Sequence, residues 1–406
     1  MPSLIPVTST RLGEHLPLLE LLPDNAPVSW VRGGDGLVGW GTYATTVVKG
    51  PNRFADARAW WHQQLEKFAI ADSVHASGTG PILFTSFSFD PAEDSVLVIP
   101  QIVVGRRNGS SWITWIGDQP QPSLLEETPI LSDAEFNWGD GSLSPAEWQL
   151  RVAQAIKEIE DTNLEKVVLA RDLKVNSHRA IDARKILRNL SVEYPSTWIF
   201  AVDGLVGATP ELLLRLSRGM VTSRVLAGTI RKTGDDEKDL ALAASLARSS
   251  KDLEEHEYAV RSVAEALEPF CTSTNVPESP FVLHLANVMH LATDVTGALI
   301  ESKKSVDVFT ILEKLHPSAA VCGTPTDIAA KLIKDIEGMS RGRYAGPVGW
   351  LDARGDGELG IALRCGQITE NEIRIFAGCG IVAGSNPEKE LSESSAKFAP
   401  MRSALN

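Results

Sequence analysis

Apolar residues along this chain alternate or run together in short stretches, broken by Gly, Asn and Asp, and at only a few places recur at helical spacing. In residues 1–143 the runs GPILFTSFSF and DSVLVIPQIVV, each bounded by turn residues, predict meandering β-strands. A helix is predicted to begin at Ser144. That residue can cap, Pro145 suits the first helical position, Glu147 completes a capping box, and Trp148, Val152, Ala155, Ile156 and Ile159 follow at helical spacing. Beyond it, LEKVVLARDLKV, STWIFAVD, LLLRL, MVTSRVLAG, VMHLATDV, GPVGWLD, ELGIALRCGQI and EIRIFAGCGIV predict strands. The turn TENE joins the last two as in a hairpin. Helical patterns lie at about 236–269, 306–315, 326–336 and 386–405. Runs of strands with helices grouped between them predict an α+β fold built on a large, mainly antiparallel sheet. No stretch has linker composition, so one domain over 1–406 is expected, with a sheet-rich part, 1–143, and a further part, 144–406.

Composition narrows the possible partners. The 406 residues are 43% hydrophobic and 22% charged, an ordinary globular balance. The 39 Lys and Arg against 52 Asp and Glu leave a net charge of −13, which repels polyanions, so nucleic acid is not expected as a partner. A small anion would need local cations. Four cysteines without a CxxC pair point to a reducing cytoplasm, and neither an export signal nor a membrane span is legible.

The residues that could carry chemistry are ambiguous singly. In the last helix Glu390, Glu393 and Lys397 share a face beside the apolar row Leu391, Phe398, Met401 and Leu405; alone, this reads as a solvated charge ladder. The preceding AGCGIVAGS could bring Gly378, Gly380 and Gly384 into an N–H nest for an anion. Glu255 lies opposite the stripe formed by Leu253, Val260, Val263 and Leu267, facing solvent or a site. Carboxylates from two helices can supply the hard oxygen ligands that Mg2+ prefers. Lys166, Glu211, His290 and Arg364 interrupt apolar runs, where an edge charge or a satisfied buried group is the ordinary explanation.

Together, LEKVVLAR, GATPELLLR, LAGT, KDLEEHEYAV, VMHLAT, LHPSAAVCGTP, RGRYAGPVGW, IALRCGQI, AGCGIVAGSNPEKE and ESSAKF occur in an order that resembles the chorismate-utilising enzymes, and among them the isochorismate synthases. The resemblance covers about residues 163–400. It implies two antiparallel sheets layered together with helices outside, and a Mg2+-dependent conversion of chorismate to isochorismate. By motif, Lys166 would be the general base that activates water for attack at C2, and Glu211 the general acid that protonates the departing C4 hydroxyl. Glu255 and Glu393 would hold Mg2+, with Asp252 and Glu390 behind them. Thr229, His290, Tyr344, Arg364, Lys397 and the backbone of Gly378, Cys379 and Gly380 would bind substrate, with the Cys379 side chain a snug filler. A free lysine titrates near pH ~10.4 and a free glutamate near ~4.3, so burial in their apolar runs is needed to favour the neutral forms these roles require.

Three positions narrow the activity within that family. Ammonia-using members tend to carry glutamine where Lys166 stands, so lysine favours water. Aminodeoxychorismate synthases carry a lysine where Ala227 stands, so a covalent lysine intermediate is not expected. The His-Pro of LHPSAAVCGTP matches isochorismate synthases, and no glutaminase subunit is expected. Similar enzymes are often monomers, which is the expectation here. Isochorismate would feed menaquinone, a siderophore or salicylate. The alternatives are a salicylate synthase, which shares the acid, base and metal site, and a non-catalytic chorismate-binding homologue.

Overall fold

The computed structural model describes residues 3–13, 16–124, 130, 135–300 and 306–406, apart from the side chain of Lys251. Strand Ser95–Arg107 organises the molecule. Its first half pairs with Ile82–Ser86, its second half with Ser110–Ile116, and Asp35–Val48 runs along its other edge. Two arms grow from this branch. One passes through Val28–Arg32, Trp198–Val202, Leu205–Thr209, Cys365–Thr369 and Glu372–Ile381 to Lys166–Ser177. The other passes from Ile82–Ser86 through Pro347–Asp352, Gly357–Ile361, Leu212–Ser217 and Met220–Arg231 to Val288–Leu299. These pairings are antiparallel, as the sequence predicts; Ile5–Leu12 with Phe68–Asp72 is a parallel pair.

The period-two pattern explains how the arms stack. On Trp198–Val202, Trp198, Phe200 and Val202 enter a core shared with Leu212, Leu214, Trp350 and Leu359 of the other arm. Ile199 and Ala201 point the opposite way, against Ile186, Leu187 and Leu190 of helix Ala183–Glu193 and Met401 and Leu405 of the C-terminal helix. One arm is thus covered on both faces, the layered arrangement that the resemblance implies.

The predicted capping box is present. Ser144 accepts from the Glu147 N–H, and the Glu147 carboxylate accepts from Ser144, opening helix Pro145–Asp161. Asn386 caps the last charged helix, Pro387–Lys397, accepting from the N–H groups of Glu388 and Lys389.

Some sequence expectations need correction. Residues 1–143 contain a helix, Arg53–Leu65, that buries Phe54, Ala57, Trp61 and Gln64 along one stripe. Its N-terminus has no side-chain cap, and its polar content hides the period. Helix Ala183–Glu193, capped by Asp182, also escapes the sequence pattern. The 236–269 stretch is two helices, Asp236–Leu246 and Ser250–Leu267, because Ser249 caps a new start. The 386–405 stretch likewise divides into Pro387–Lys397 and Ala399–Leu405. ELGIALRCGQI is two strands, Gly357–Ile361 and Cys365–Thr369, broken where Arg364 adopts a φ of 48°. The four cysteines are buried free thiols, and no helix among the described residues is long and apolar enough to cross a membrane.

Candidate active site

The free ends of the two arms meet around one cavity of about 860 Å³, counting its opening to solvent. Lys166, first residue of its strand, reaches it from one arm; Glu211, in the break before Leu212–Ser217, and Thr229 and His290 reach it from the other. Helix Ser250–Leu267 supplies Asp252 and Glu255, and helix Pro387–Lys397 supplies Glu390, Glu393 and Lys397. Tyr344, Arg364, Gly378 and Gly380 complete the expected set. Of the residues singled out in the sequence for chemistry or anion binding, Cys379 and Gly384 do not line the cavity.

Strand alternation explains why the Cys379 side chain does not line the cavity. Gly378 and Gly380 face the cavity, so the side chain between them faces helix Pro387–Lys397, where its thiol donates to the Glu390 carbonyl at 3.3 Å. Burial holds the thiol well above its ordinary value, so it stays neutral. The N–H nest is also absent, because Gly378 and Gly380 belong to a regular strand paired with residues 168 and 170. The glycines are required for space instead: a Cβ on Gly380 would lie 2.6 Å from Glu255 Oε1 and 2.9 Å from Lys166 Cε.

Lys166 is 1% exposed, and its ammonium lies 3.0 Å from Glu255. Glu211 is buried, and that desolvation pushes its carboxyl up to about 8, against the opposing pull of a Leu226 N–H, Lys166, Arg364 and Lys397. It is therefore mainly a neutral, proton-donating carboxyl at neutral pH. Burial alone would lower Lys397, but Glu393 at 2.6 Å outweighs it and holds the ammonium charged. Lys397 also donates to the Gly378 carbonyl at 2.9 Å.

A bulge shapes the opposite wall. Gly228, at φ +72°, shifts the register between Met220–Arg231 and Val288–Leu299, setting Thr229 opposite His290 with Oγ1 and Nδ1 3.1 Å apart. Burial, then Arg364 and Lys397, push the imidazole well below its usual value. Neutral His290 presents Nδ1 to the Gly228 carbonyl at 3.3 Å, which assigns the hydrogen to that nitrogen. Its buried Nε2 is left as an acceptor with no partner among the described residues. Tyr344 is buried in the lining, stacked on Phe376 with centroids 5.1 Å apart.

The donor set fits a hard cation. Asp252, Glu255, Glu390 and Glu393 supply carboxylates, and among the described residues the sulfur grouped with them is the neutral Cys379 thiol. Among the described residues, Cys379, Glu390 and Glu393 have ligand atoms within 4.8 Å of one another. Glu390 is already engaged by the Ser385 hydroxyl at 2.8 Å, in keeping with a supporting position, and Glu255 and Glu393 each carry a lysine.

Sequence reasoning missed Arg341, which lines the cavity while pairing with buried Glu337 and donating to the carbonyls of Val168 at 2.7 Å and Val321 at 2.8 Å. Glu337 in turn accepts from the Ala170 N–H at 3.0 Å. This pair fixes the strand that starts at Lys166. The first arginine of RGRYAGPVGW could have revealed it, since it falls four residues after a glutamate in a helix-to-strand crossing. Arg341→Ala should cost about 3–5 kcal/mol, because Glu337 would remain buried and unpaired. Chemical denaturation checks this; a loss below about 1 kcal/mol would contradict it.

Comparison with known proteins agrees with the site. The "Chorismate binding enzyme" family profile matches residues 31–406. Isochorismate synthase DhbC of Bacillus subtilis is 40% identical over 349 residues, covering 83% of this chain and 84% of that protein. Isochorismate synthase MenF of the same organism is 31% identical over 405 residues, covering 91% of this chain and 85% of that protein. The solved structure of MenF, the menaquinone-specific isochorismate synthase of Escherichia coli, superposes with a TM-score of 0.82 at 25% identity, over 99% of this chain and 95% of that one. A profile match over nearly the whole length, joined to relatives of this identity and coverage, places the chain in the chorismate-binding enzyme family.

Proposed function

We propose that this enzyme is an isochorismate synthase, adding water at C2 of chorismate and expelling the C4 hydroxyl. The observation that carries the reading is one cavity holding a buried lysine and a buried glutamic acid raised to about 8. Lys166 takes a proton from the attacking water as the C2–O bond forms. The ring double bonds shift, and the C4–O bond breaks as Glu211 gives its proton to the leaving hydroxyl, so water enters and water leaves. His290 Nε2 can accept from a substrate hydroxyl, while Arg364 and Lys397 offset substrate carboxylates.

Charge balance supports a divalent cation. Apart from Arg341, which Glu337 neutralises, three cationic side chains (Lys166, Arg364 and Lys397) face four carboxylates, leaving no positive surplus for a substrate with two carboxylates of its own. Glu255 and Glu393 would hold Mg2+, with Asp252 and Glu390 supporting them; the ion would bind the ring carboxylate. Glu255 lies on Lys166, so it must be engaged elsewhere for the lysine to accept a proton. Four buried free thiols suit a cytoplasmic enzyme.

Chromatography of chorismate incubated with the pure protein and Mg2+ tests the reading. Isochorismate should accumulate, vanish with EDTA and return with excess Mg2+. Salicylate with equimolar pyruvate would instead identify a lyase, and unchanged chorismate would reject both activities.

A further inference from the structure

A second groove continues the active-site cavity outward. Thr229, Glu393 and Lys397 line both, and the groove adds Ile230, Arg231, Val288, Lys389, Ser392 and Ala396. Its charge is opposite to that of the molecule. Among the described residues the one carboxylate in its lining, Glu393, is held by Lys397 at 2.6 Å, so the exposed Arg231 and Lys389 give the lining two further positive charges. The chain as a whole carries −13.

The two cations come from different elements. Arg231 ends strand Met220–Arg231, two residues beyond Thr229, and Lys389 lies in the first turn of helix Pro387–Lys397, one turn before Glu393. Each is thus on an element that also supplies the cavity, and each stands on its outward side. A dianion approaching an acidic surface is repelled except where cations open a path, and a groove with low-dielectric walls concentrates that local field.

We propose that this groove is the entry port for the dianionic substrate, and that Arg231 and Lys389 capture and steer it without taking part in the chemistry; the proposal rests on the chorismate reading above. Steering by local charge is worth roughly 10- to 1000-fold in association rate and is screened by salt.

The test compares wild type with the Arg231→Glu/Lys389→Glu double variant and with Arg231→Gln/Lys389→Gln, using chorismate and Mg2+ over a range of ionic strength. At low salt, kcat/KM should fall about tenfold in the charge-reversed variant, and less in the neutral one. The gap should close near 1 M salt, where the screening length is about 3 Å, with kcat at saturating chorismate unchanged throughout. A double variant whose kcat/KM and salt dependence match wild type would overturn the entry port while leaving the activity intact. A salt-independent loss, or one confined to kcat, would also overturn it, since steering is screened by salt and leaves kcat unchanged. Wild-type protein that leaves chorismate unconverted would overturn both this proposal and the activity it rests on.

Discussion

Glu211→Gln is expected to cut kcat by roughly 10²- to 10⁴-fold, the usual contribution of a positioned general acid, while leaving a folded and more stable protein. The stability gain follows from linkage. Burial raises the Glu211 carboxyl from 4.5 to about 8, so between those values the folded chain keeps a proton that the unfolded chain has lost. The stability associated with that proton is fully present below about pH 4.5, falls as the pH rises, and has gone by about 8. At neutral pH the native glutamate therefore costs on the order of a few kcal/mol that glutamine does not. Thermal unfolding should show the variant with the higher Tm at pH 7, and with a shallower decline in stability from pH 5 to 8. In wild type, kcat/KM should fall through about pH 8 as Glu211 ionises. A variant with near-normal turnover would remove Glu211 from the chemistry.

Lys166→Ala is expected to lower kcat by a similar factor, for a different reason. The change removes the lysine on the strand side of the cavity and leaves the pocket walls in place, because strand Lys166–Ser177 is held by the Arg341–Glu337 pair through Val168 and Ala170. It also strips Glu255 of the ammonium group 3.0 Å away, so some loss of stability accompanies the loss of turnover. Calorimetry separates the two roles. Chorismate affinity in the presence of Mg2+ should stay within about tenfold of wild type while product formation disappears, since a base that acts only in the transition state contributes little to ground-state binding. Loss of binding in proportion to turnover would make Lys166 a binding group instead.

The sequence was most informative where local chemistry and tertiary position coincide. The Ser144 and Asn386 caps could be read directly, because capping is decided by the residues themselves. The two cavity helices were legible as helices, yet nothing in their spacing showed that Glu255 and Glu393 share a cavity; the order of motifs carried that inference. Glycine composition alone does not distinguish an anion-binding nest from a strand that must admit Lys166 and Glu255, which is why the segment suggests a nest and forms a strand. The orientation of Cys379 depends on strand phase, which the segment AGCGIV leaves open until its pairing with residues 167–170 is known. Arg341 escaped because its value lies in what it holds, two carbonyls far away in sequence. Helix Arg53–Leu65 escaped for want of a cap.

The claim that a lysine and a protonated glutamate exchange one water for another at the ring is tested most directly by running the reaction in 18O-labelled water and weighing the isochorismate by mass spectrometry at low conversion. The account predicts one solvent oxygen in the product, located at the C2 hydroxyl. Isochorismate carrying only the original oxygen of chorismate would mean that the hydroxyl migrates within the substrate, and that Lys166 has no water to activate.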